Sequence, residues 1–202
     1  INPEYDQSHY NLGIALSNLK QWDEAIRHFK IALQINPSMS EAYYNLGIVA
    51  EKQGDLKRAA DFFVDALKIN PQYSEAHNNL GIVYARMGEY DAAVNQYQLA
   101  IKLNPTYVSA RMNMGNALFR QGKYREAVAK YDAALGLDAE YKDALYKKAV
   151  SLMYEGKAAE AEKLIDQVLL IDPRYKLAHN AKGFIQEANG TIDEALKSYD
   201  MA

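Results

Sequence analysis

The sequence predicts an all-α protein built as a linear array of antiparallel helix pairs. Three observations carry this: a 34-residue internal period, helical spacing of apolar residues within each period, and glycine or proline where each helix should stop. Gly13, Gly47, Gly81 and Gly115 are 34 residues apart, with Ala149 and Gly183 in the next two slots. Ala25, Ala59, Ala93, Ala127, Ala161 and Ala195 keep the step without a lapse, and Pro3, Pro37, Pro71, Pro105 and Pro173 keep it with Ala139 as the exception. No insertion or deletion disturbs the register. A single unit cannot bury its apolar faces alone, so stability comes from stacking along the array.

With Asp6 as position 1, the first helix of each unit carries apolar or small residues at positions 3, 4, 7, 8, 10 and 11, as in SEAYYNLGIVAEKQG. Position 15 is glycine in five units (Gly54, Gly88, Gly122, Gly156, Gly190), the residue that ends a helix in the left-handed conformation. The second helix opens on acidic residues suited to the positive end of the helix dipole, among them Asp23, Glu24, Asp91, Glu126, Asp193 and Glu194. It closes at Asn36-Pro37, Asn70-Pro71, Asn104-Pro105 and Asp172-Pro173, because a residue before proline is pushed out of helical geometry. Residues 1–202 then read as one array: 1–5 as the end of a preceding repeat, full repeats at 6–39, 40–73, 74–107, 108–141 and 142–175, and a truncated sixth at 176–202. The chain starts and stops inside a unit, so the expectation is a segment of a longer array whose uncapped ends permit self-association.

This pattern resembles the tetratricopeptide repeat family. The residues that carry the resemblance are Leu46, Gly47, Ala59, Phe63, Ala66 and Pro71 in the second repeat, and Leu80, Gly81, Tyr84, Ala93, Tyr97, Ala100 and Pro105 in the third. The resemblance implies a right-handed superhelical solenoid, a concave groove lined by the first helices, and a scaffold that holds an extended or helical segment of a protein or peptide partner in that groove. Glycine at position 8 and alanine at positions 20 and 27 fall where two helices come closest. Enlarging one is expected to cost about 1–3 kcal/mol by overpacking.

Composition narrows the chemistry. The chain has no cysteine, which removes disulfides, thiol nucleophiles and Cys-ligated metals and favours a reducing, cytoplasmic setting. With 23 basic against 26 acidic residues it lacks the basic surplus that non-specific nucleic-acid binding requires. No apolar run is long enough to insert in a membrane. The four histidines are His9, His28, His77 and His179, and three share position 4, which suits packing between helices rather than metal ligation. Acidic pairs at helix starts are explained by capping. No phosphate-cradling glycine loop is present, and Asn189-Gly190-Thr191 fits a turn better than a glycosylation acceptor. The expectation is a non-enzymatic protein with no cofactor and no metal.

Function is therefore sought in surface. At about 100° per residue, positions 4, 7, 8, 11 and 12 of the first helix face the core, positions 3, 10 and 14 can meet the adjacent repeat, and positions 2, 5, 6, 9 and 13 form an unpartnered arc. Position 6 reads Asn11, Asn45, Asn79 and Asn113, then Lys147 and Ala181. A carboxamide both donates and accepts, so a row of them can follow an extended peptide backbone. Beside the row stand Tyr10, Tyr44, Met112 and Tyr146 at position 5, Ile48, Ile82 and Asn116 at position 9, and Arg86, Arg120 and Tyr154 at position 13. Four net hydrogen bonds supply only about 2–6 kcal/mol, whereas micromolar binding needs about 8, so apolar anchors are required. Met112, Phe119, Tyr146, Val150, Met153, Tyr154 and Phe184 are the candidates, with Lys52, Arg86, Arg120 and Lys147 selecting an acidic ligand.

The asparagine row is similar to that of the repeat domain of O-linked N-acetylglucosamine transferases. That likeness implies an alternative, a substrate-selecting arm of a larger enzyme. The carboxylate clamp of chaperone-binding relatives is absent, because position 5 holds Tyr10, Tyr44, Asn78 and Met112 rather than lysine. Of sixteen tyrosines, only Tyr10, Tyr44, Tyr146 and Tyr154 are expected to face the groove.

Overall fold

The computed structural model describes residues 3–202. Among the described residues the chain forms twelve α-helices and no strand: α1 (Pro3–Asn18), α2 (Trp22–Ile35), α3 (Ser40–Lys52), α4 (Leu56–Ile69), α5 (Ser74–Arg86), α6 (Tyr90–Leu103), α7 (Val108–Arg120), α8 (Tyr124–Leu135), α9 (Lys142–Tyr154), α10 (Ala158–Ile171), α11 (Lys176–Ala188) and α12 (Ile192–Asp200). These residues fall into two compact units, one ending at Pro105 and one spanning Thr106–Ala202. Within each, α1–α6 or α7–α12 pair as consecutive helical hairpins that stack on their neighbours. No described helix is long and apolar enough to cross a membrane.

The hairpins follow the local signals. Gly54, Gly88, Gly122, Gly156 and Gly190 all have φ between 76° and 84°, and Lys20 takes the same left-handed turn in the first repeat with φ 60°. Asp55 caps α4 by accepting from the Arg58 amide at 3.1 Å. Two expected boundaries shift. α1 runs back to Pro3, where the sequence suggested a turn, because proline's fixed φ suits the first turn of a helix; the assignment of residues 1–5 to a preceding repeat lies partly outside the described residues. α8 ends at Leu135 with Gly136 as its cap, so losing the proline at Ala139 does not lengthen it.

The core is a repeated ring-on-glycine contact. A Cβ built at Gly47 would lie 2.6 Å from Phe63 Cε1, at Gly81 2.6 Å from Tyr97 Cε1, and at Gly115 2.5 Å from Tyr131 Cε1. Gly13 meets Phe29 and Gly183 meets Tyr199 in the same way. In the fifth repeat both partners change: Ala149 stands opposite Ile165, and both are fully buried. The alanines at position 20 are buried throughout, as are Ala42, Val49, Ala76 and Val83 in the first unit and Ala144, Ser151, Ala178 and Ile185 in the second. These are positions 3 and 10, where adjacent repeats meet.

The histidines cross-brace the hairpins. His77 Nδ1 lies 2.7 Å from Gln96 Oε1 while its Nε2 lies 3.1 Å from the Pro71 carbonyl. In the first repeat the same two positions hold His9 and His28, with their Nδ1 atoms 2.7 Å apart and rings stacked at 5.0 Å. In the fifth repeat Lys142 Nζ reaches Asp172 at 2.6 Å, and that bond, with the Arg174 amide, holds the Asp172 carboxyl below the usual carboxylate range.

Candidate functional site

In the first unit the asparagine row is bonded into the scaffold. Asn45 Nδ2 donates to Tyr10 Oη at 3.1 Å and to the Glu41 carbonyl at 2.8 Å, and Asn79 Nδ2 donates to Tyr44 Oη at 2.9 Å. In the second and third repeats the carboxamide thus holds the phenol of the repeat before it. Asn79 Oδ1 accepts from Asn78 at 3.2 Å, and the exposed Asn11 accepts from Gln7 at 3.1 Å. Burial pushes the Tyr10 phenol up, with the Asn45 bond opposing, so the hydroxyl is neutral at working pH and its proton can be donated outward. Ile48 and Ile82 are half-buried. Arg86 is drawn into an ion pair with Glu51 at 2.6 Å.

Position 5 is less open than the helical wheel suggests. In the second and fifth repeats the residue that closes the repeat covers it: Tyr44 lies against Tyr73 with ring centroids 4.7 Å apart, and Tyr146 against Tyr175 at 5.5 Å. Met112, at the same position of the fourth repeat, is 5% exposed and belongs to the core rather than to an open groove wall. Asn116 is also engaged, accepting at 2.9 Å from the hydroxyl of Tyr131, a ring with no exposed surface. Asn113 is half-buried in the second unit.

The second unit contains a trough of about 440 Å³ between α9 and α11, within the range of small-ligand and side-chain pockets. Tyr146, Val150, Met153 and Tyr154 form one wall at i, i+4, i+7 and i+8; Leu177, Ala181 and Phe184 form the other at i, i+4 and i+7. This spacing puts each set on one helix face. Tyr154, Leu177 and Phe184 are 62%, 51% and 59% exposed, an apolar cluster of a kind that marks interaction sites. Tyr154 is held from behind: Tyr124 stacks on it at 4.8 Å and Phe119 meets it edge-on at 5.3 Å. Burial pushes the Tyr146 phenol up, keeping it neutral, and Lys147 Nζ sits 5.9 Å from its ring centre. Lys142, Lys148 and Lys182 are paired with carboxylates, whereas Lys147 and Arg120 make no ion pair among the described residues.

The structure therefore brings Tyr146 and Tyr154 together in one apolar trough with Lys147 beside it, and it brings Tyr10 to Asn45 and Tyr44 to Asn79 as bonded pairs. Leu177 was open to detection in sequence, since position 2 is polar or charged in every earlier repeat (Gln7, Glu41, Glu75, Ser109, Asp143). Among the described residues no group of three or more His, Cys, Asp or Glu could hold a metal ion.

Tetratricopeptide-repeat family models match residues 10–74, 62–95 and 118–185, and a TPR-repeat model matches residues 83–122. The chain carries tetratricopeptide repeats. No curated protein sequence gives a significant match. Among solved structures the chain is similar to YrrB, a tetratricopeptide-repeat protein with an unusual peptide-binding site, at 28% identity and TM-score 0.77 over 86% of this chain and 90% of that one. It is similar to MamA at 25% identity and TM-score 0.73, over 77% of this chain and 91% of that one. With pilF of Pseudomonas aeruginosa, at 19% identity and TM-score 0.81 over 96% and 89% of the two chains, the repeats share the fold.

Proposed function

We propose that this chain is a non-catalytic scaffold whose repeats hold a segment of a partner protein, with the trough between α9 and α11 as the main anchor. The observation that carries the reading is the exposure of Tyr154, Leu177 and Phe184 around one apolar hollow, with Tyr154 braced by two further rings. Rigid aromatic anchors in a hollow are the usual source of binding energy at protein interfaces. The peptide-binding site named for YrrB, a relative in fold and at 28% identity in sequence, agrees with this. The alternative, an arm that selects substrates for a larger enzyme such as a protein O-glycosyltransferase, draws on the asparagine row. That support is weaker, because the amides of Asn45 and Asn79 are already bonded to Tyr10 and Tyr44.

A photo-crosslinking amino acid placed at Phe184 should capture one discrete polypeptide from cells that make the protein. The same group at Leu170, which is 84% exposed on α10, should not. Equal capture at both positions would remove the trough from the account.

A further inference from the structure

We propose that the trough between α9 and α11 receives a short amphipathic α-helix of the partner, its apolar stripe in the hollow and its acidic residues toward Lys147 and Arg120. This rests on the scaffold reading above and adds the conformation and the charge of the ligand.

The conformation follows from hydrogen-bonding supply. An extended ligand brings an unpaired backbone N–H and C=O at every residue, and burying these without partners is unfavourable. The first unit has carboxamides along its first helices, at Asn11, Asn45 and Asn79. Around the trough position 6 is Lys147 and Ala181, and among the lining residues only Asn180 carries a carboxamide. A helix satisfies its own backbone and presents side chains alone. The two walls, each a stripe with i, i+4, i+7 spacing, leave between them an elongated apolar hollow of about 440 Å³ suited to a third such stripe.

The charge follows from which ions are already paired. Lys142, Lys148 and Lys182 are held by Asp172, Asp132 and Asp166 at 2.6–2.7 Å. Lys147 is exposed beside the Tyr146 wall. Arg120 stands at position 13 of the fourth repeat, the position that Tyr154 takes in the fifth, on the helix whose Phe119 touches Tyr154. The carboxylates on the wall helices keep their charge but are turned to tyrosine hydroxyls, Asp143 accepting from Tyr175 at 2.9 Å and Glu187 from Tyr199 at 2.8 Å. Lys147 and Arg120 beside the hollow are held by no carboxylate among the described residues, and they complement acidic residues flanking an apolar stripe.

The test is selection of random peptides of about 16 residues, long enough for four helical turns, on the full chain, with counter-selection on the exposed-site variant Phe184→Asp. Enriched peptides should carry apolar residues at i, i+3 or i+4, and i+7 with Asp or Glu beside them. Their affinity should fall at least about tenfold when a central residue is changed to proline, which breaks a helix. Lys147→Glu in the protein should weaken them about tenfold at low salt. Peptides that need Phe184 but tolerate the central proline, or that are basic, would overturn this proposal and leave the scaffold reading standing. If no peptide distinguishes the full chain from Phe184→Asp, both fall.

Discussion

Phe63→Ala is expected to lower the unfolding free energy by about 3–5 kcal/mol, the usual cost of removing a buried aromatic ring. Phe63 has no exposed surface; its ring covers Gly47 on α3, packs among Ala59, Ala60, Leu80 and Val83, and lies 5.7 Å from the ring of Tyr44. Three helices therefore lose a shared partner at once. In a repeat array the damage spreads through the interfaces with neighbouring repeats. Urea denaturation followed by circular dichroism measures the loss, and hydrogen exchange should localise it to α3–α5. A loss below about 1 kcal/mol would contradict the ring-on-glycine core.

Gly47→Ala is the second large effect, and its sign depends on what faces it. The added Cβ would sit 2.6 Å from Phe63 Cε1, and a fully buried ring has nowhere to move. Overpacking costs about 1–3 kcal/mol, more than the helix propensity of up to about 1 kcal/mol that alanine adds. The fifth repeat shows the compensated pair, with Ala149 opposite Ile165. In a Phe63→Ile background Gly47→Ala is therefore expected to be neutral or stabilising, giving a coupling of about 1–3 kcal/mol in a double-mutant cycle. Additive effects of the two changes would show that the contact is not the constraint.

Sequence periodicity sufficed for the helices, their left-handed glycine turns and the residues at closest approach, because each is set by local chemistry repeated in register. It also reached most of the aromatic and aliphatic residues of the trough, since Tyr146, Val150, Tyr154 and Phe184 share the unpartnered arc, whereas Met153 lines the hollow from position 12, which the wheel assigns to the core. The helical wheel treats a helix as isolated, and that is where it failed. It could not show that Tyr73 and Tyr175 fold over position 5 of their repeats, or that Met112 at the same position is buried. Nor could it show that Asn45 and Asn79 spend their amides on phenols one repeat away, or that Asn116 caps the buried hydroxyl of Tyr131. These bonds join residues 15 or 35 apart in the chain and depend on the stacking itself. Leu177 went unused because it is conspicuous only against the polar residues at position 2 of the other repeats.

The central claim is that the exposed aromatic residues of the fifth and sixth repeats hold the partner. Its most direct measurement is the dissociation constant of the polypeptide captured at Phe184, taken with the full chain, with the double variant Tyr154→Ser/Phe184→Ser, and with Leu170→Ser as the control. All three replaced side chains are exposed, so folding should be preserved. The account predicts at least a tenfold weakening, about 1.4 kcal/mol, in the double variant and an unchanged constant in the control. An unchanged constant in the double variant, or equal weakening in the control, would contradict it.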